Sequence, residues 1–261
     1  MMDRLLRIAK QAGEISRRHF GRLEARDVQL KGEVDLVTAV DRELELFLRE
    51  RLGEAFPDVS FYGEEGDYGE LDRFERVFVV DPLDGTTSFV HAHPFYSISI
   101  ALREGRETTA GLVYLPYFDQ AYWAVKGQGA FRDGERIRVS TTAELVNCLA
   151  ATGFACVRAR NEQNNLPLFC DLMPQIRGIR RCGSAAIDLC YVADGHYDFF
   201  WEYNLSPWDI AAGALIVSEA GGKVSDLAGE RELMGAPHVL ASNAVVHDAV
   251  LEVSRRYAAD C

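Results

Sequence analysis

The sequence predicts an α/β fold of the α+β kind, in which layers of helices alternate with sheets. Three observations carry this. Amphipathic helical periodicity appears in both halves of the chain, over residues 3–20, 40–52, 185–193 and 208–220. Strand-like pieces cluster between residues 95 and 139. Between these regions Val77-Phe78-Val79-Val80 is wholly apolar and stops at Asp81-Pro82-Leu83-Asp84-Gly85, as a buried strand does where it empties into a turn.

The elements follow in order. Leu5, Ile8, Ala12 and Ile15 recur at helical spacing, and so do Leu44, Phe47, Leu48 and Leu52. Val28 to Thr38 mixes polar and β-branched residues and reads as a hairpin or an extended loop. Tyr96-Ser97-Ile98-Ser99-Ile100 and Gly111-Leu112-Val113-Tyr114-Leu115 are separated by Arg103-Glu104-Gly105-Arg106, with Pro116 and Gly127 as later breaks. Such spacing predicts antiparallel strands rather than βαβ units. Ala185–Ala193 and Trp208–Ala220 each close on a glycine, with strand-like Tyr197 to Trp201 between them. There is no linker, repeat or low-complexity segment, so one domain over residues 1–261 is expected, in two intimate halves of about 1–140 and 141–261.

Composition narrows the function. With 48% hydrophobic residues the chain can fill a large core. A net charge of −12 opposes general nucleic-acid binding, and a phosphorylated substrate would have to be attracted locally, by bound cations. The six cysteines, at 148, 156, 170, 182, 190 and 261, form no CxxC pair and read as reduced thiols. With no signal peptide and no apolar run long enough for a membrane span, a cytoplasmic location is expected.

The segment Asp81-Pro82-Leu83-Asp84-Gly85-Thr86-Thr87 sets two carboxylates three residues apart before small hydroxyl-bearing residues. It fits a tight turn whose Asp84 caps a short helix, and equally a metal site in which the amides of Gly85 and Thr86 receive an anion. Gly63-Glu64-Glu65-Gly66 is a solvated acidic loop or a ligand pair. Ser206-Pro207-Trp208-Asp209 has the form of a capping box, in which Asp209 needs no further role. His91 and His93 read as packed residues rather than a metal pair.

Taken together, Gly-Glu-Glu, Asp-Pro-Leu-Asp-Gly-Thr-Thr and Trp-Asp-Ile-Ala-Ala-Gly occur in the order and at the spacing of inositol monophosphatases. The resemblance runs from about Lys31 to Gly222 and includes Val34-Asp35-Leu36-Val37-Thr38, Gly183-Ser184-Ala185-Ala186 and Ser218-Glu219-Ala220-Gly221-Gly222. It implies an αβαβα sandwich, usually a homodimer, that hydrolyses small phosphate monoesters with Mg²⁺ and is often inhibited by lithium. Carried over by residue, it gives Glu64, Asp81 and the Leu83 carbonyl to one metal and Asp81, Asp84 and Asp209 to a second. A third ion would sit near Glu64 through water, and Mn²⁺ would substitute. An all-oxygen ligand set suits such hard cations, and two of them balance four carboxylates.

The mechanism inferred is in-line attack on phosphorus by a water oriented by Thr86 and Asp41, with Glu65 assisting through the surrounding water. Leu83, Asp84, Gly85, Thr86, Arg180, Gly183, Ser184, Ala185, Glu202 and Asp209 are the expected substrate contacts, with Glu202 accepting hydroxyl hydrogen bonds. Two details depart from the family pattern: Ser88 stands where many relatives have Asn, and residues 153–165 do not align. The leading expectation is myo-inositol monophosphate or a similar polyol phosphate. Histidinol phosphate, fructose 1,6-bisphosphate and 3′-phosphoadenosine 5′-phosphate are alternatives, and a binding or regulatory protein that keeps the fold is an alternative of another class.

Overall fold

The computed structural model describes residues 1–23, 28–31, 35–230 and 238–257. Val34 and Cys261, which entered the sequence reading, lie outside them. The first apolar stripe becomes helix α1 (Met2–His19), which buries Leu5, Ile8, Ala12 and Ile15. Val28–Lys31 (β1) and Asp35–Thr38 (β2) pair antiparallel, which decides for the hairpin; its turn lies outside the described residues. Thr38 then caps helix α2 (Ala39–Ala55) in a box with Asp41: the Thr38 hydroxyl accepts from Val40 N–H, and Asp41 Oδ2 accepts Thr38 N–H at 2.8 Å.

Among the described residues the remaining strands form two sheets. The larger runs in chain order through Ser60–Gly63 (β3), Arg76–Asp84 (β4), Ser97–Glu104 (β5), Glu107–Leu115 (β6), Gln120–Val125 (β7), Gly129–Arg132 (β8) and Glu135–Arg136 (β9). Only β3 and β4 pair parallel; the rest is the expected antiparallel meander. The smaller sheet has the order β11-β10-β12-β14-β13, from Leu149–Thr152 (β10), Gly178–Arg180 (β11), Phe199–Tyr203 (β12), Lys223–Ser225 (β13) and His238–Ser242 (β14).

Three apolar layers hold these sheets. Helices α1 and α2 pack on one face of the larger sheet, against Phe78, Val80, Ile100 and Leu112. Two short helices, α3 (Thr86–Val90) and α4 (Ala155–Arg158), contribute residues to the wall of one cavity. On the outer face of the smaller sheet, α5 (Leu166–Leu172) and a C-terminal helix (α8, His247–Ser254) enclose Phe199, Trp201 and Leu240. Between the sheets lie α6 (Ala185–Ala193) and α7 (Pro207–Glu219), apolar nearly all round because both of their sides are covered. The order is therefore α, β, α, β, α. No helix among the described residues is long and apolar enough to cross a membrane.

Two details correct the sequence reading. β4 does not end before the aspartates but continues through Pro82 to Asp84, with its register against β5 slipping between Asp81 and Asp84. Proline has no N–H for the ladder and is tolerated at such a bulge. Asp84 does not cap α3; that position is Gly85, at φ +95°, because the Asp84 carboxylate is held by α6 instead.

α7 approaches the larger sheet through Gly111, where an added Cβ would lie 2.9 Å from the Ala212 carbonyl oxygen and 3.0 Å from its Cα. Backbone cannot rotate away as a side chain does. Gly111→Val is expected to lower the unfolding free energy by about 1–3 kcal/mol, the scale of an overpacked core, measured by urea titration. An unchanged midpoint would show that α7 shifts freely.

Candidate active site

Residues three apart on a regular strand face opposite sides. The bulge in β4 removes that restriction, and Asp81 and Asp84 both line one cavity of about 360 Å³. Glu64, just past β3, joins them, with Leu83, Gly85 and Thr86. The opposite wall comes from the second half: Gly183, Ser184, Ala185 and Asp188 on and before α6, Glu202 on β12, and Asp209 in the first turn of α7.

Each aspartate is tethered by one oxygen. Asp84 Oδ2 accepts from the Ser184 hydroxyl at 2.5 Å, Ala186 N–H at 2.8 Å and the Ser97 hydroxyl at 3.4 Å. Ser184 is itself the N-cap of α6, accepting Ile187 N–H. Asp81 Oδ1 accepts Leu83 N–H at 2.9 Å, and Asp209 Oδ2 accepts Ser206 N–H at 2.7 Å. Asp209 is thus a helix cap and a cavity residue at once. Across the bulge the Thr86 hydroxyl donates to Asp41 Oδ1 at 2.9 Å and also meets the Leu83 carbonyl at 3.2 Å. Asp41, the capping-box partner of Thr38, carries this hydroxyl on its second oxygen.

Burial and mutual repulsion make ionisation difficult. Desolvation, then the charges of Glu64, Asp84 and Asp209, hold the Asp81 carboxyl well above the usual range. Asp209 is raised in the same way by burial and by Asp84. Burial also raises Asp84, opposed by its bonds from Ser184 and the α6 amides. Asp41 is raised by burial against the bonds of Thr38 and Thr86. Glu202 is pushed up to about 8, chiefly by burial, with Arg181 opposing. Among the described residues no three His, Cys, Asp or Glu side chains form a preassembled metal cage. What the carboxylates share is a cavity and an unfavourable charge, and a hard cation with oxygen ligands suits both.

Other expected residues fall elsewhere. Glu65 does not line the cavity; its N–H is held by Glu45 Oε2 at 2.7 Å, and Tyr68 donates to Glu45 Oε1 at 2.9 Å. Arg180 lines only a neighbouring cavity with Tyr122, Tyr191 and Tyr197, whereas Arg181 lines both that cavity and the carboxylate cavity. The unaligned residues 153–165 contribute Gly153, Ala155, Arg158 and Ala159 to the wall. Buried Asn165 anchors them, bonding the Thr152 hydroxyl and accepting Tyr203 N–H. His91 and His93 are exposed, with His93 against the Phe95 ring. Sequence reasoning missed Glu45 and Asp188. The signal for both was an acid inside an otherwise apolar helical face, beside Leu44 and Leu48 in α2 and between Ile187 and Leu189 in α6.

The model of the inositol monophosphatase family matches residues 2–259. The chain belongs to that family. "Nus factor SuhB" of Pseudomonas aeruginosa is 41% identical over 255 residues, covering 96% of this chain and 94% of its own. "Fructose-1,6-bisphosphatase/inositol-1-monophosphatase" of Aquifex aeolicus is 37% identical over 261 residues, covering 98% and 97%. The crystal structure of the extragenic suppressor protein suhB from Bartonella henselae superposes with a TM-score of 0.91 at 37% identity, covering 98% of both chains. Membership of the inositol monophosphatase family makes this chain a phosphatase of the inositol monophosphatase and fructose-1,6-bisphosphatase type, in a family that is generally Mg²⁺-dependent.

The charge cluster has a measurable consequence. A carboxyl whose pKa is raised on folding stabilises the protein below its unfolded value, near pH 4, and that contribution is lost as pH rises through the folded value. The cation-free protein should therefore melt at lower temperature as pH rises from about 5.5 to about 8.5. The gain in melting temperature on adding Mg²⁺ should grow over the same window, since ligands bind metal deprotonated. Calorimetry at about 10 mM MgCl₂ checks this, and a gain independent of pH would contradict it.

Proposed function

We propose that this protein hydrolyses a small phosphate monoester of a polyol, with myo-inositol monophosphate the first substrate to test, using two to three Mg²⁺ ions that Mn²⁺ can replace. The observation that carries this is the convergence of Glu64, Asp81, Asp84 and Asp209 on one cavity beside the Thr86–Asp41 pair. Glu64, Asp81 and the Leu83 carbonyl would hold one ion; Asp81, Asp84 and Asp209 a second. Bound there, Mg²⁺ supplies Lewis acidity and neutralises charge on the phosphoryl and leaving oxygens.

The chain's own groups orient the reaction. Because Thr86 gives its proton to Asp41, its oxygen is left as an acceptor and can fix a water with a lone pair turned toward phosphorus. Gly85 and Thr86 present backbone amides to the phosphoryl oxygens. Glu65, held by Glu45, assists through water. Glu202 accepts hydroxyls of the alcohol, and the arginine contact passes from Arg180 to Arg181, which lines the same cavity. Li⁺, small and hard but singly charged, inhibits by taking the Asp81, Asp84 and Asp209 position.

Histidinol phosphate, fructose 1,6-bisphosphate and 3′-phosphoadenosine 5′-phosphate need the same metal core, and the ratio of kcat/KM over these esters ranks them. The relative named as a Nus factor supports a second reading, a regulatory protein that keeps the fold. Against it stands the cost of burying several acids that an inert scaffold does not need. We place the protein in the cytoplasm as a homodimer; the five described cysteines are free thiols, as a reducing compartment favours.

Asp84→Asn keeps shape and the acceptor for Ser184 while removing charge. It should lower Mg²⁺-dependent phosphate release by about 10²–10³-fold, the scale of losing one preorganised electrostatic contact, with the circular dichroism spectrum unchanged. Activity within a few-fold of wild type would remove Asp84 from the ligand set.

A further inference from the structure

Asp188 lies one turn into α6, 2% exposed, and its side chain lines the same cavity as the carboxylates already described. Its Oδ1 is buried and has no hydrogen-bond partner. Most buried polar side-chain atoms in folded proteins do have one, so this acceptor asks for an explanation. Its neighbours narrow the possibilities. The Cys182 thiol donates to the same carboxyl while its sulfur also meets the Tyr197 hydroxyl at 3.2 Å, and Oδ1 is the oxygen left over. Glu202, 7% exposed, faces the same space, and the Arg181 guanidinium stands over Gly183 at its rim. Glu202 and Asp188 are both carboxyl groups lining this corner.

The corner is also displaced from Glu64, Asp81 and the Leu83 carbonyl in chain and element: it is built from α6, β12 and the segment after β10. Gly153 is part of it, since a Cβ there would collide with the Glu202 carboxylate.

We propose that Asp188 is a specificity-determining residue whose unpartnered Oδ1 accepts a hydrogen bond from a hydroxyl of the substrate's alcohol, alongside Glu202. This rests on the phosphatase reading and deepens it. Two acceptors on one wall call for two donors on the ligand, which a polyol offers and a hydrocarbon alcohol does not. A site built to hydrogen-bond a hydroxyl rejects the analogue that lacks it, because its buried acceptors are then left unpaired. In this proposal Asp188 acts on which alcohol is held, not on the phosphoryl transfer.

The test compares two esters of similar ring size, inositol 1-phosphate and cyclohexyl phosphate, by phosphate release with Mg²⁺ present. Wild type should favour the inositol ester. In Asp188→Ala the ratio of kcat/KM, inositol over cyclohexyl, should fall at least tenfold, with the loss appearing mainly in KM for the inositol ester. Asp188→Asn keeps an acceptor and the side-chain volume, so its ratio should lie between those of wild type and Asp188→Ala. It also provides a folded comparison if the alanine variant is unstable. A ratio within threefold of wild type in the folded variant, or both esters losing kcat in proportion, would overturn the inference and leave the phosphatase reading standing. Absence of phosphate release from either ester by the wild-type protein would overturn both.

Discussion

The structure depends on keeping several carboxylates ionisable in one buried cavity. Each is costly to desolvate, and each raises its neighbours. The fold meets this with one device used repeatedly: one oxygen of an aspartate is tied to backbone or to a capping hydroxyl, and the other is left for the cavity. Asp81 is tied by Leu83 N–H, Asp84 by Ser184 and Ala186, and Asp209 by Ser206 N–H. The tethers orient the acids without neutralising them, and on the proposed reading the remaining charge is balanced by bound cations. A hard divalent cation is the balance that an all-oxygen site selects.

The architecture follows from that requirement. The cavity draws its two walls from different sheets, and α6 and α7, lying between the sheets, bring their N-terminal turns to it. Ser184 joins the halves: the same hydroxyl that caps α6 donates to Asp84 on the larger sheet. Glu45 does similar service on the other side, holding the Glu64-Glu65 turn from α2, and its carboxylate packs against Gly63 where a Cβ would otherwise stand. Helix capping and site assembly are here the same set of bonds.

Much of this was legible in the sequence where periodicity was strong. α1, α2, α6, α7 and the antiparallel meander were readable because apolar spacing decides them locally. The family resemblance supplied the layer order. Less legible was anything set by a long-range contact. The continuation of β4 through Pro82 depends on pairing with β5, whereas the end of the apolar run at Asp81 argued for a turn there. Asp84 resembled a helix cap because its true donors lie 100 and 102 residues away in Ser184 and Ala186. Arg180 and Arg181 are adjacent in sequence, yet only Arg181 reaches the carboxylate cavity, a distinction that the local backbone makes and composition does not. Glu45 and Asp188 were visible as acids in apolar helical faces, yet that pattern alone does not say what they touch.

The central claim is that the free oxygens of these acids are cation ligands rather than a repulsive accident of packing. Anomalous diffraction from crystals grown with Mn²⁺ tests it most directly, because the ion is located by its own scattering. The account predicts anomalous peaks inside the carboxylate cavity, one within bonding distance of Glu64 and Asp81 and another of Asp81, Asp84 and Asp209. Ordered crystals at saturating Mn²⁺ with no anomalous peak in that cavity would contradict it.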